Sequence, residues 1–149
     1  MSFKMSFEGA DKLVKKMQMI ALETAKTHMR ESALEAAKVI EKGARDVLNS
    51  GGSPQSRTGR LAESITTEVV KQTRARVDTH IGPSQKAFYG PMVEEGHPMV
   101  VKKEGIKVKI GDVPPHPFMR PALDEHSGAA QKAFEKELRR RLKAYDEGE

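Results

Sequence analysis

The sequence predicts an α+β fold: an antiparallel sheet of short strands packed with a long N-terminal helix, a short middle helix and a long C-terminal helix. Two observations carry this. Apolar residues recur at intervals of three and four toward both ends of the chain, whereas the middle holds short β-branched runs alternating with polar residues. Those runs cluster between the long helices instead of alternating with them, which argues against parallel βα units. At 149 residues the whole chain, 1–149, is expected to form one domain and to bury roughly 70% of its unfolded surface.

The opening alternation of Phe3, Met5 and Phe7 with Ser2, Lys4 and Ser6 predicts a strand that Gly9 ends. From Ala10 the period changes. Leu13, Val14, Met17, Ile20 and Ala21, then Ala33, Ala36, Ala37, Ile40, Ala44, Val47 and Leu48, form a helical stripe that stops at Asn49-Ser50-Gly51-Gly52. Unbroken, this helix runs about 39 residues and roughly 58 Å, against a diameter of about 38 Å for a compact chain of this length. Either it breaks near Thr27 to Ser32, where the stripe is weakest, or another subunit covers its projecting turns; both can hold in part.

Residues 49–57 are a flexible loop by composition. Thr58-Gly59-Arg60-Leu61 leads into a strand at Ile65 to Val70, and after a polar turn at Lys71 to Arg74 a second strand alternates Ala75, Val77, Thr79 and Ile81 with polar residues up to Gly82-Pro83. The two are expected to pair as an antiparallel hairpin. Lys86 to Glu95 is expected to form the short helix, stopped by Gly96. A second hairpin, residues 99–110, joins Met99-Val100-Val101 to Ile106-Lys107-Val108-Lys109-Ile110 through a turn at Lys102 to Gly105, with Ile106, Val108 and Ile110 facing in and Lys107 and Lys109 facing out. Gly111 to Pro117 is rigid until Pro117 or Pro121 opens the last helix. Leu123, Ala130, Phe134, Leu138, Leu142 and Tyr145 mark its buried face, opposite Lys132, Lys136, Arg139, Arg140, Arg141 and Lys143.

Composition narrows the chemistry. There are no cysteines, which removes disulfides, thiolate metal sites and cysteine nucleophiles. No apolar stretch approaches the roughly 20 residues of a membrane span, and the opening residues do not read as a secretory signal, so a cytosolic location and no membrane partner are expected. Twenty-six basic residues against 21 acidic ones give a formal charge of +5, which makes an acidic neighbour such as DNA a candidate; aromatics at 5% supply little for base stacking.

Motifs of catalysis are missing: there is no phosphate-binding loop, dinucleotide fingerprint or nucleophile elbow. Glu94, Glu95, His97, His116, Asp124, Glu125 and His126 have ligand chemistry, but no spacing gathers them and solvated side chains are expected, with no metal and no cofactor. The basic face of the last helix also carries Glu135 and Glu137, as solvated faces do. The lysines of the second hairpin, Lys102, Lys103, Lys107 and Lys109, have two readings: protection of an exposed strand edge, or an interface to a neighbouring chain.

Three segments then combine. The first is Pro54 with Arg57-Thr58-Gly59-Arg60-Leu61 and Ser64-Ile65; the second is Tyr89-Gly90-Pro91-Met92-Val93-Glu94-Glu95-Gly96; the third is Pro115-His116-Pro117-Phe118-Met119-Arg120-Pro121-Ala122-Leu123. In this order they resemble the phage tail-component family, the head–tail joining or tail-completion proteins of long-tailed phages, and the third is the most specific. Gly90 stands where that family usually has alanine. The resemblance implies a structural virion protein at the head–tail junction that forms a ring of its own copies, six in number, and docks on neighbouring neck and tail proteins. It implies no enzyme activity and a location in the virion, with host cytoplasm during assembly or from a prophage. The alternative is a basic nucleic-acid-binding module. Motif residues take structural roles: Gly59 and Gly96 permit backbone geometry closed to side chains, Pro117 and Pro121 set the approach of the last helix, Phe118 and Leu123 anchor it, and Glu94 is expected to pair with Arg120.

Overall fold

Small side chains decide how the two long helices meet. Helix α1, Leu22–Asn49, buries Ala25, Ala33, Ala36, Ala37, Ile40, Ala44 and Leu48 along one stripe, and alanine at this spacing lets another backbone approach closely. In the computed structural model, which describes residues 2–3, 22–50, 59–73 and 76–146, the approaching element is the C-terminal helix. At Gly43 the fit is tight: a β-carbon there would lie 2.1 Å from Cδ2 of His126. The last helix, Met119–Asp146, contributes Ala122, Ala130, Phe134, Leu138 and Leu142 to the seam. His126 meets Gly43, whereas Arg141 comes to 3.9 Å from Glu31; the two helices are therefore antiparallel.

Between them the chain builds the sheet. A one-and-a-half-turn helix α2, Arg60–Ser64, precedes strand β2, Ile65–Gln72. Strand β3, Val77–Pro83, pairs antiparallel with β2 and with the N-terminal strand β1, Ser2–Phe3, in the order β1-β3-β2. A register shift between Val69 and Lys71 leaves Val70 63% exposed, as a bulge does. Strand β2 is strapped along α1 by three polar contacts: Arg45 Nη2 to the Ile65 carbonyl at 2.7 Å, Thr67 Oγ1 to Glu41 Oε2 at 2.8 Å, and Gln72 Nε2 to the Lys26 carbonyl at 2.6 Å. Ile65 and Ile81 fill the space between sheet and helices.

A 3₁₀ turn, Gln85–Ala87, and helix α3, Gly90–Glu95, follow β3. Strands β4, His97–Lys103, and β5, Ile106–Val113, form a separate two-stranded antiparallel sheet, and the C-terminal helix, α4, closes the chain. The order of long helices, paired strands and short middle helix agrees with the α+β expectation.

Three expectations are corrected. Helix α1 does not break at 27–32: the Thr27 hydroxyl donates to the Glu23 carbonyl at 3.0 Å and Ser32 Oγ to the His28 carbonyl at 2.7 Å, so the weak stretch of the stripe is satisfied within the helix. The segment Lys86–Glu95 is a 3₁₀ turn and a short helix with Phe88 and Tyr89 between them. Phe88 is 75% exposed. Ile106, Val108 and Ile110 do not face in; among the described residues no layer lies over their side of the hairpin, and all three are exposed. The expected strand at 4–7, the helical stripe over 10–21, the loop from 51, Thr58 and the side chain of Tyr145 lie outside the described residues.

At the far end of the seam Glu137 accepts from Arg140 and Arg141 at 2.6 to 2.9 Å. The Arg140 hydrogen bond, and after it that of Arg141, holds the Glu137 carboxyl down at about 2, against a usual 4.5. Because the folded value is the lower, this group stabilises the fold above about pH 4.5, and the contribution is lost as pH falls through about 2. NMR titration of the Glu137 carboxyl should place its midpoint near 2, and Arg140→Ala should move it toward the ordinary range. His28 lies nearby with both ring nitrogens buried and unpartnered. Burial, and then the Arg141 guanidinium, pushes its pKa below the usual 6.5.

Candidate functional site

The second and third sequence segments meet in space. Glu94, near the end of α3, is buried, and its carboxylate accepts three backbone N–H groups at the start of α4: Phe118 and Met119 on Oε2 at 2.7 and 3.0 Å, and Arg120 on Oε1 at 3.1 Å. The first N–H groups of a helix have no partner within it, and the helix dipole makes that end positive. A carboxylate 24 residues upstream answers both needs. The expected pairing of Glu94 with the Arg120 side chain is not what forms: Glu94 takes the Arg120 backbone N–H, and the Arg120 side chain is exposed.

Around this anchor the motif residues hold a corner of the fold. Phe118 and Met119 are 1% and 2% exposed. Pro121 falls in the first turn of α4, where its missing N–H costs nothing, while Pro117 is exposed. Leu61 is buried, and Tyr89 is half-buried with its carbonyl accepting from Val93 N at 3.1 Å. Gly59 takes φ 69° ahead of α2, and its carbonyl accepts from Glu63 N at 3.0 Å. Gly90, where the resembled family usually carries alanine, leaves no room for it: a β-carbon would stand 2.3 Å from Pro83 Cγ.

Gly96 ends α3 with φ 75°, and a β-carbon there would lie 2.6 Å from the Val113 carbonyl oxygen. Both the left-handed backbone and the crowding exclude a side chain. Gly96→Ala should therefore cost about 2 kcal/mol or more, read as a lower urea midpoint.

Beside the Glu94 anchor is a cleft of about 120 Å³. Ile81, Pro83, Gly90, Pro91, Phe118 and Met119 line it, together with the exposed Glu95. Sequence patterning does not reveal it, because its lining comes from the end of β3, helix α3 and the start of α4, segments far apart in sequence.

From this corner the β4–β5 hairpin departs. Every residue from Pro98 to Ile110 is exposed. The register sets Val101 opposite Val108 and Lys103 opposite Ile106 on one face, and Lys102 opposite Lys107 and Val100 opposite Lys109 on the other. Lys109 reaches Asp112 at 2.7 Å. Ile106 is 68% exposed and Ile110 58%. The lysines therefore lie where the sequence put them, on the solvent, but the apolar face is on the solvent too.

Among the described residues, no three His, Asp or Glu side chains gather as a metal ion requires: Glu94 is committed to helix α4, and His126 packs on Gly43. No helix among the described residues is long and apolar enough to cross a membrane. The chain matches no family model, no curated protein and no solved structure.

Proposed function

We propose that the protein is a structural component of a long-tailed phage, acting at the head–tail junction as a tail-completion or neck ring. Its work is association: copies join one another, and the ring docks on adjoining neck and tail proteins without making or breaking covalent bonds. The observation that carries this reading is the β4–β5 hairpin. A two-stranded hairpin alone in water is marginal, and this one holds six large apolar residues more than 40% exposed, Met99, Val100, Val101, Ile106, Val108 and Ile110. Apolar surface of that kind, edged with lysine, suits a protein that meets another chain. The three sequence segments add the phage context, and the charge of +5 is compatible with a DNA channel close by.

The reading predicts what loss of the gene does. Infected cells should accumulate filled heads and finished tails that remain separate in electron micrographs, and no infectious particles; infectious particles lacking the protein would overturn it. The exposed Lys132, Lys136 and Arg139 on α4 favour, as a second reading, a nucleic-acid-binding module. That module would bind duplex DNA as a monomer, with an affinity falling steeply as salt rises.

A further inference from the structure

The cleft and the hairpin tip lie at opposite ends of one lever. Glu94 and Glu95 belong to the cleft, and β4 begins two residues later at His97. The root is pinned there, since Gly96 packs directly against Val113 and Pro115 at the other end of the hairpin. Seven residues of strand carry the tip roughly 20 Å away. The hairpin is extended, so its tip does not reach its own cleft, but the tip of a second copy is free to do so.

Tip and cleft match in size and are opposite in charge. An apolar cavity of about 150 Å³ admits a benzene ring, so the 120 Å³ cleft is on the scale of one branched aliphatic side chain. Ile106 is such a side chain, the first residue after the turn and 68% exposed. Lys103 lies directly opposite it on the same face, and the tip as a whole, residues 102–107, carries three lysines against one glutamate. The exposed, acidic Glu95 is among the residues that line the cleft. We infer that copies of this chain associate by seating Ile106 of one copy in the Ile81–Met119 cleft of the next, with Lys103 against Glu95. The two surfaces are different, so the contact is head-to-tail, the kind that closes into a ring when the rotation per copy divides a full turn. This inference rests on the assembly reading and names its interface.

The test uses complementary variants of the full chain, with circular dichroism to establish that each is folded. All three altered positions, Glu95, Lys103 and Ile106, are exposed, so folding is expected to be unaffected. Light scattering should give the wild-type chain a mass that is a multiple of 16.5 kDa, whereas Ile106→Asp and Glu95→Lys should each weaken association at least tenfold. Ile106→Leu should assemble as the wild type does. Mixing the two defective variants should produce a heterodimer and nothing larger, because only one competent tip and one competent cleft remain. Combining Glu95→Lys with Lys103→Glu in one chain should restore assembly. If the wild type assembles and both single variants assemble equally well, or the mixture yields no heterodimer, this docking is overturned while the assembly reading stands. A wild-type chain that is monomeric at every concentration overturns both.

Discussion

Glu94→Ala is expected to lower the stability of the folded chain by about 3 kcal/mol, seen as an earlier midpoint in urea. The substitution removes a buried acceptor from three N–H groups at once. Two of them, on Phe118 and Met119, belong to residues that are themselves buried, where water is a poor replacement, and an unpartnered buried donor costs about 1–3 kcal/mol. The lost charge–dipole attraction adds to this. Glu94→Gln should cost less, because one side-chain oxygen still accepts. The exposed guanidinium of Arg120 contributes little: Arg120→Ala should change stability by less than about 0.5 kcal/mol. The double variant should then match the sum of the singles. Coupling above about 1 kcal/mol would show that the carboxylate answers the Arg120 side chain after all.

The second large effect is at Phe118. Its ring is 1% exposed, in the lining of the cleft and in the core cluster that joins the sheet to both long helices. Phe118→Ala removes the ring and leaves a cavity at a place held open by Pro83 and Pro91, which restrict collapse. A loss of about 3–5 kcal/mol follows, measurable by thermal or urea unfolding. Phe118→Leu should recover most of it. The two substitutions test different things at one corner: Glu94 the polar satisfaction of the helix start, and Phe118 the packing beneath it.

Much of the fold is legible in the sequence because it is periodic. The alanine stripe of α1 and the Ala130, Phe134, Leu138, Leu142 stripe of α4 are local patterns, and the face each buries follows from 3.6 residues per turn. The same holds for the alternation of Val77, Thr79 and Ile81. What patterning does not supply is the second layer. Ile106, Val108 and Ile110 alternate with lysine as a half-buried strand does, yet among the described residues nothing covers them; alternation identifies a face and says nothing of what lies against it. Helix α2 at Arg60–Ser64 is too short for a period to be read. The partner of Glu94 is legible only to the level of its neighbourhood: the two motif segments suggest Arg120, and the fold provides the backbone amides of Phe118, Met119 and Arg120 instead. Likewise the cleft joins the end of β3, helix α3 and the start of α4, and no spacing rule connects Pro83 with Met119.

If another chain covers the β4–β5 hairpin, as proposed, hydrogen exchange across β4 and β5 reports it directly. An uncovered two-stranded sheet opens readily, so the amides of residues 97–113 should exchange fast in dilute protein, far ahead of those in the α1–α4 seam. As concentration rises and the mass increases, exchange over 97–113 should slow at least tenfold while the seam is unchanged. Exchange that stays fast across the hairpin in the assembled protein would contradict the account.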